Sequence, residues 1–359
     1  MNKIPKRDLS IEIMRILAAF FVIFNHGDGF TLYQQFETGS LRFYSYLFMA
    51  IFCKFAVPLF FMISGALLLG KEESIKDVLK KRVLKSIIVL FVISVIYYTY
   101  SLYTGRFTFC GFSNIIDFIG KFISGGIWGH LWFMYSYIVF LLVLPFFRMI
   151  IKSMDQKGFN YFFILTVIFN FIVPVLQYLM FKGEHELYIS FNLFTMKNIS
   201  PVFIGYWIYT KLNSSKVENK HILILWLINV ATIILTCFLT HLTIINSGVN
   251  SGYDVELFFY NFASLNAATI FVTVKKYCKF DSSEKLSKII SSAGGATFGI
   301  FLLHYLTFQI LPWFYYSAAV LSILGLPMVG WIVAAGIYFF VNLFIVILLK
   351  KFPLVKKYI

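Results

Sequence analysis

The chain has 359 residues, 60% hydrophobic and 20% aromatic, and only 13% charged, against about 25% in soluble proteins. With a mean hydropathy of +0.82, that composition excludes an ordinary soluble domain and describes a polytopic membrane protein. The formal net charge of +15 does not point to nucleic acid, because 24 of the 31 Lys and Arg lie in six short polar segments between apolar runs.

Those segments are the N-terminus (Lys3, Lys6, Arg7), 71–85, 148–157, 211–220, 275–288 and the tail from Lys350. They alternate with segments carrying only Arg42, Arg106, Lys121, Lys182 and Lys197. This asymmetry is the positive-inside pattern and predicts both termini in the cytoplasm. Apolar runs recur along the whole length with no polar region of domain size, so residues 1–359 read as one integral domain.

A bilayer core takes roughly 20 apolar residues per helix. Taken in chain order, the runs predict an all-α protein of about ten transmembrane helices, near 9–30, 44–69, 86–103, 130–150, 159–181, 195–211, 222–245, 257–275, 297–316 and 326–349. The first run lacks a small-residue cleavage site and is expected to stay on the mature protein. "KEESIKDVLKKRVLK" (71–85) reads as an amphipathic cytoplasmic helix with a basic face. The segment 104–129 is too polar and Gly-rich to span and too apolar to be a free loop, which predicts an interfacial or re-entrant element. "KLNSSKVENKH" and "FDSSEKLSKIISSAGG" read as solvated connectors. No internal repeat is evident, which argues against a transporter built from duplicated halves. Cys53, Cys110, Cys237 and Cys278 are too widely spaced for a metal or redox motif and read as packing residues.

Arg15 and His26 stand out in the first run, "IEIMRILAAFFVIFNHGDGF". Eleven steps at about 100° bring the second side chain within about 20° of the first, so both share one helix face roughly 16 Å apart. An unpaired cation facing lipid costs at least ~2.5 kcal/mol, which predicts that both face the protein interior or an aqueous tunnel. The plainer alternative has Arg15 snorkelling to the headgroups and His26 only bridging helices. Imidazole, with an unperturbed pKa near 6.5, is suited to taking a proton from an alcohol at neutral pH. A loosened helix end at "HGDG" would let Asp28 orient its ring. No helix offers metal-ligand spacing, and no metal is expected.

At the outer end of the fourth run, "GGIWGHLWFMY" joins Trp128, His130, Trp132 and Tyr135. Such rings form interfacial belts in any membrane protein, but they also pack on sugar faces, so His130, Trp132 and Tyr135 are candidate acceptor contacts. His304 is a second intramembrane histidine, expected to bond across helices or line a substrate path. Lys54, in the second run, is expected to snorkel or pair with a buried acid, and Ser64 with Gly65 to permit close helix packing.

Arg-x10-His in the first run, "VPLFFMISGALLL" (57–69), "KKRVLKSII" (80–88), "HLWFMYSYIVFLLVLPFFR" (130–148), "FIGYWI" (203–208) and "IFLLHYLTFQIL" (300–311) together resemble the acyltransferase-3 family. These are bacterial membrane proteins that move acyl groups, usually acetyl from acetyl-CoA, onto sugars of surface polysaccharides and lipid-linked precursors. The resemblance covers about residues 8–348. It implies that His26 is catalytic with Arg15 as its basic partner. It also implies that Arg82 and Lys85 stand where the family carries an Arg-x-x-Arg pair serving the donor. Lys in the second place keeps the charge but loses bidentate phosphate binding, which leaves the role of that pair open.

The residues alone agree with such a donor site, since clustered cations make charge-assisted bonds to the phosphates of coenzyme A. A basic loop that merely obeys the positive-inside rule and touches anionic lipid is the alternative. The expectation is therefore an acetyl-CoA-dependent O-acetyltransferase of the bacterial plasma membrane. Arg15, Arg82 and Lys85 would bind the donor, and His26 would serve as general base or transient acyl acceptor. Its partners would be a sugar or lipid-linked glycan acceptor and membrane lipids, not nucleic acid. A transporter or flippase of a polysaccharide intermediate is the other reading, weakened by the lack of repeats and of intramembrane carboxylates.

Overall fold

Helices end where the chain supplies caps or loses donors. In the computed structural model, residues 8–29, 31–181, 199–247, 262–278, 284–312 and 327–359 are described. Among them there are helices and turns and no strand: α1 (Leu9–Phe24), α2 (Leu41–Phe52), α3 (Ala56–Leu68), α4 (Ile75–Val78), α5 (Leu84–Tyr103), α6 (Ser113–Ser124), α7 (Trp132–Ser153), α8 (Gln156–Val167), α9 (Val173–Phe181), α10 (Ile199–Thr210), α11 (Asn219–Ser247), α12 (Ala263–Tyr277), α13 (Glu284–Ile310), α14 (Pro327–Leu349) and α15 (Pro353–Tyr358). Asp8 caps α1 by accepting from the Ser10 N–H at 3.0 Å. Ser40 caps α2 through Phe43, and Asp155 caps α8 through Gly158, each satisfying an otherwise orphaned donor.

Eight helical stretches among the described residues are long and apolar enough to cross a membrane: Leu9–Gln35, Leu41–Leu68, Ile75–Tyr103, Gly129–Ser153, Gln156–Met180, Asn219–Asn246, Glu284–Ile310 and Pro327–Leu349. They coincide with eight of the ten expected spans. The remaining two, near 195–211 and 257–275, correspond to the shorter α10 and α12, and each adjoins residues outside the described set.

Two stretches differ from their sequence reading. Residues 71–85 do not form a separate interfacial helix: α4 passes through a π turn at Leu79–Val83 directly into α5. The expected connector at 280–295 is helical from Glu284 onward, because its "EKLSK" start carries good helix formers and an i,i+4 Glu284–Lys288 ion pair. The segment 104–129 holds α6, whose exposed Ile115, Ile116, Ile119 and Ile123 suit an interface.

The chain divides into two compact units, Met1–Leu67 with Met154–Ile347, and Leu68–Ser153 with Leu348–Ile359. In the first, lipid offers no hydrophobic drive between helices, so close packing depends on small residues. Ala18 and Ala19 of α1, Ala267 of α12, Ala296 of α13 and Ala335 of α14 all lie in its buried clusters. Helices α3 and α10 meet backbone to backbone. A Cβ on Gly65 would lie 1.9 Å from the Val202 carbonyl oxygen, and one on Gly205 would lie 2.1 Å from that of Met62. Outward faces stay apolar, as with Leu223, Ile224, Leu227 and Ile228 on α11.

In the second unit a polar knot ties α5 to the α6 segment. The Tyr98 hydroxyl donates to Asp117 at 2.8 Å, while the Asn114 amide donates to that hydroxyl and to the Thr108 carbonyl. Tyr135 on α7 donates to the Phe122 carbonyl at 2.5 Å.

Candidate active site

Local chemistry first breaks α1 where His26 sits. "NHGDG" combines two glycines with Asn and Asp, all weak helix formers, and the helix loosens into a π turn at Asn25–Gly29. Such bulges are frequent at functional sites. Helical geometry is regular from Arg15 to Phe24, and the π turn covers only the last two of the eleven steps to His26. The side chain of Asp28 lies outside the described residues.

His26 meets His304. Its Nδ1 lies 2.8 Å from His304 Nε2, with ring centroids 5.0 Å apart and planes 12° from parallel. His304 is fully buried on α13, and its Nδ1 lies 2.6 Å from the Phe301 carbonyl oxygen. Tyr305 closes on both rings, at 4.9 Å from His26 and 5.0 Å from His304.

The order of protons follows from these two bonds. A carbonyl only accepts, so His304 Nδ1 carries a proton and donates it. Two neutral rings are the least costly pair in a low-dielectric interior. A neutral His304 then presents a bare Nε2, which accepts from His26 Nδ1–H. The remaining nitrogen of His26, Nε2, is left with its lone pair, the form a general base needs. His26 is partly exposed where His304 is not.

Arg15 lies on the same helix, 28% exposed, with one guanidinium nitrogen 3.0 Å from the buried Glu12 carboxylate. Room for Glu12 comes from Gly294 of α13, where a Cβ would lie 2.2 Å from Glu12 Oε2. Arg15 is thus oriented by an acid one turn away.

Lys54 does not snorkel. It is 7% exposed, in a 3-10 break at Cys53–Phe55 between α2 and α3. Pro58 explains that break: lacking an N–H, it cannot donate to the Lys54 carbonyl. Asn25 Nδ2 donates to the Cys53 carbonyl at 3.1 Å, tying this break to the π turn of His26. Lys54 lies near enough to act electrostatically on both His26 and Cys53.

In the other unit, Arg82 occupies the π turn before α5 and grips Glu73 with two bonds, Nε to Oε2 at 2.9 Å and a terminal nitrogen to Oε1 at 2.6 Å. Arg148, nearly buried on α7, bonds the same carboxylate at 2.9 Å and the Leu68 carbonyl at 2.9 and 3.0 Å. The Arg82 hydrogen bond, followed by that of Arg148, holds the Glu73 carboxyl at about 2, against its ordinary 4.5. Lys85, in the first turn of α5, is half-buried and within electrostatic reach of Lys357. Two guanidiniums and one acid therefore meet here, a net positive cluster suited to phosphate oxygens.

Other expected positions fall in the same unit. His130 is 3% exposed, with its ring edge-on to Tyr97 at 5.0 Å, and Trp128 packs on Tyr97 at 4.9 Å. Trp132 remains 45% exposed, while Tyr135 spends its hydroxyl on the Phe122 carbonyl.

The structure thus brings His26, His304 and Arg15 into one unit, and Arg82, Lys85, His130, Trp132 and Tyr135 into the other. Sequence reasoning missed Lys54 beside His26, for which Pro58 was the available signal. It also missed Glu73, Arg148 and Lys357. Arg148 stands at the end of a quoted motif, but nothing local names its partner 75 residues away.

The acyltransferase-3 family model, described as an acyltransferase domain, matches residues 8–351, nearly the whole chain. The chain belongs to the acyltransferase-3 family. With its apolar helices, it is a multi-pass membrane acyltransferase. No curated protein and no solved structure matches it.

Proposed function

We propose that this acyltransferase-3 protein is an O-acetyltransferase of the bacterial plasma membrane, with both termini cytoplasmic. It would take acetyl from cytoplasmic acetyl-CoA and pass it to a hydroxyl of a surface-polysaccharide or lipid-linked sugar. The observation that carries the reading is the bond from His26 Nδ1 to His304 Nε2, with His304 anchored on the Phe301 carbonyl. It leaves His26 Nε2 as a hydrogen-bond acceptor able to take the proton of a sugar hydroxyl.

In this reaction the hydroxyl oxygen attacks the thioester carbonyl carbon as His26 accepts the proton. The carbonyl π electrons move onto oxygen, and on collapse the C–S bond breaks. Its electron pair goes to sulfur, and His26 returns the proton to give the free thiol. His304 accepts from His26 throughout, so it steadies the ring when that ring becomes cationic. The phosphates of the donor fall to Arg82 and Lys85, and Trp132 offers an exposed ring to the acceptor sugar. Arg15, fixed by Glu12, supplies a further oriented cation.

The test is acetyl transfer from radiolabelled acetyl-CoA by the full-length protein in native-membrane vesicles, where the acceptor is present. His26→Ala is expected to lower turnover by about 10²–10⁴-fold, the usual contribution of a positioned base. Unchanged label transfer would remove His26 from the mechanism and overturn the reading.

A further inference from the structure

The segment between α5 and α7 holds two cations that are treated differently. Lys121 is paired with Asp117 on α6, and its ammonium also lies 4.8 Å from the centre of the Phe107 ring. Arg106 is exposed, and among the described residues its guanidinium meets no acid and makes no hydrogen bond. What holds it is an aromatic face: its central carbon lies over the Trp128 ring, 4.2 Å from the ring centre.

That support is rigid. Trp128 is 7% exposed and packs on two tyrosines of α5, Tyr97 at 4.9 Å and Tyr100 at 6.3 Å. The chain around Arg106 is fixed on both sides. Gly105 leaves α5 at a φ of 74°, which glycine adopts without strain, and the Phe107 N–H donates back to the Ser101 carbonyl at 3.0 Å. The Thr108 carbonyl accepts from the Asn114 side chain at 2.9 Å. A cation stacked on such a base has given up much of its freedom before any ligand arrives, which lowers the entropic cost of binding. Stacking uses the flat face of a guanidinium and leaves its edge, a fork of N–H donors that matches the two oxygens of a carboxylate or phosphate.

Helix α5 rises about 30 Å over its 20 residues, so Arg106 follows the end of that helix opposite to Arg82. With 71–85 cytoplasmic, as in the topology proposed above, Arg106 lies on the outer side, where the positive-inside bias runs against a cation. We infer that Arg106, stacked on Trp128, is an acceptor subsite that takes the carboxylate or phosphate of an acidic sugar, so that the glycan receiving the acyl group is anionic. This rests on the reading of an external sugar acceptor. Trp132, four residues beyond Trp128 and 45% exposed, offers a ring to the sugar, while Arg106 reads its charge.

The experiment places the full-length protein in phosphatidylcholine nanodiscs and measures binding of glucuronate, glucose 1-phosphate and uncharged glucose by saturation-transfer NMR. One of the acidic sugars is expected to bind at least about tenfold more tightly than glucose, the worth of a hydrogen-bonded charged group, and Arg106→Gln to erase the preference. Arg106→Lys, which keeps the charge and loses the fork, is expected to recover part of it. The same acidic sugar is expected to inhibit acetyl label transfer in native-membrane vesicles of the wild type and not of Arg106→Gln. Equal binding of all three sugars, an acid preference that survives Arg106→Gln, or binding without inhibition would overturn the inference. So would acidic-sugar binding seen in phospholipid-free detergent and absent from nanodiscs, since a lipid headgroup would then hold the site. The binding arm needs no turnover: if His26→Ala leaves label transfer unchanged while Arg106→Gln abolishes acidic-sugar binding, the chemistry at His26 falls and the anion subsite stands.

Discussion

The histidine pair of the first unit and the arginine cluster of the second handle ionisable groups in opposite ways. In the first, neutral hydrogen bonds run from a backbone carbonyl through His304 to His26. In the second, Glu73 is clasped by two arginines, and charge is met by charge. The difference teaches what each region can do. A neutral relay fixes where one proton sits and suits proton transfer, whereas a cation-rich cluster with one acid can exchange that acid for another anion and suits phosphate binding. Both sit on helix breaks, a π turn for His26, a 3-10 turn for Lys54 and a π turn for Arg82.

The comparison breaks most readily at His304. His304→Phe keeps a buried ring but removes the acceptor that sets the His26 tautomer. Turnover is expected to fall by up to about 10⁴-fold, as when other catalytic histidines lose their orienting partner. Radiolabel transfer at constant protein measures it, with donor affinity unchanged.

A smaller effect is expected at Glu73. Glu73→Gln leaves Arg82 and the nearly buried Arg148 without their shared carboxylate. It should destabilise the second unit by about 1–2 kcal/mol, below the value for a fully buried pair because Glu73 remains partly exposed. The pH dependence sharpens this. The folded-state value of Glu73 is depressed, so its contribution is complete above 4.5 and is lost as pH falls toward 2. Thermal unfolding between those limits should show the wild-type midpoint dropping more steeply than that of Glu73→Gln, and parallel curves would refute the ion-pair account.

The smallest effect is expected next door, at the exposed pair between Lys152 and Glu72, 3.1 Å apart. Glu72→Gln should change stability by less than ~0.5 kcal/mol, since solvent and salt screen such pairs. A large shift there would mean that exposure does not separate strong pairs from weak ones in this unit.

Much of the fold was legible because lipid imposes one rule, that a span is long and apolar, and eight runs obey it in plain view. Breaks inside spans were harder to read. The one at Cys53–Phe55 follows from Pro58 acting four residues back, and its consequence for Lys54 emerges only once Asn25 is seen bonding the Cys53 carbonyl. His26 was legible as an ionisable group in an apolar run. His304 was visible for the same reason, but a sequence separation of 278 hid that each is the other's partner. Glu73 was hidden differently, since an acid in a basic segment looks like solvated surface until two arginines from separate helices converge on it.

The paired notches at Gly65 and Gly205 carry a consequence for how this protein can vary. What each missing side chain makes way for is main chain of the opposite helix, not a trimmable neighbour. No exchange of a large residue for a small one elsewhere could make space for a methyl group at either position. A revertant of such a lesion would have to restore the glycine itself or displace an entire helix, which makes this crossing the least negotiable joint in its unit.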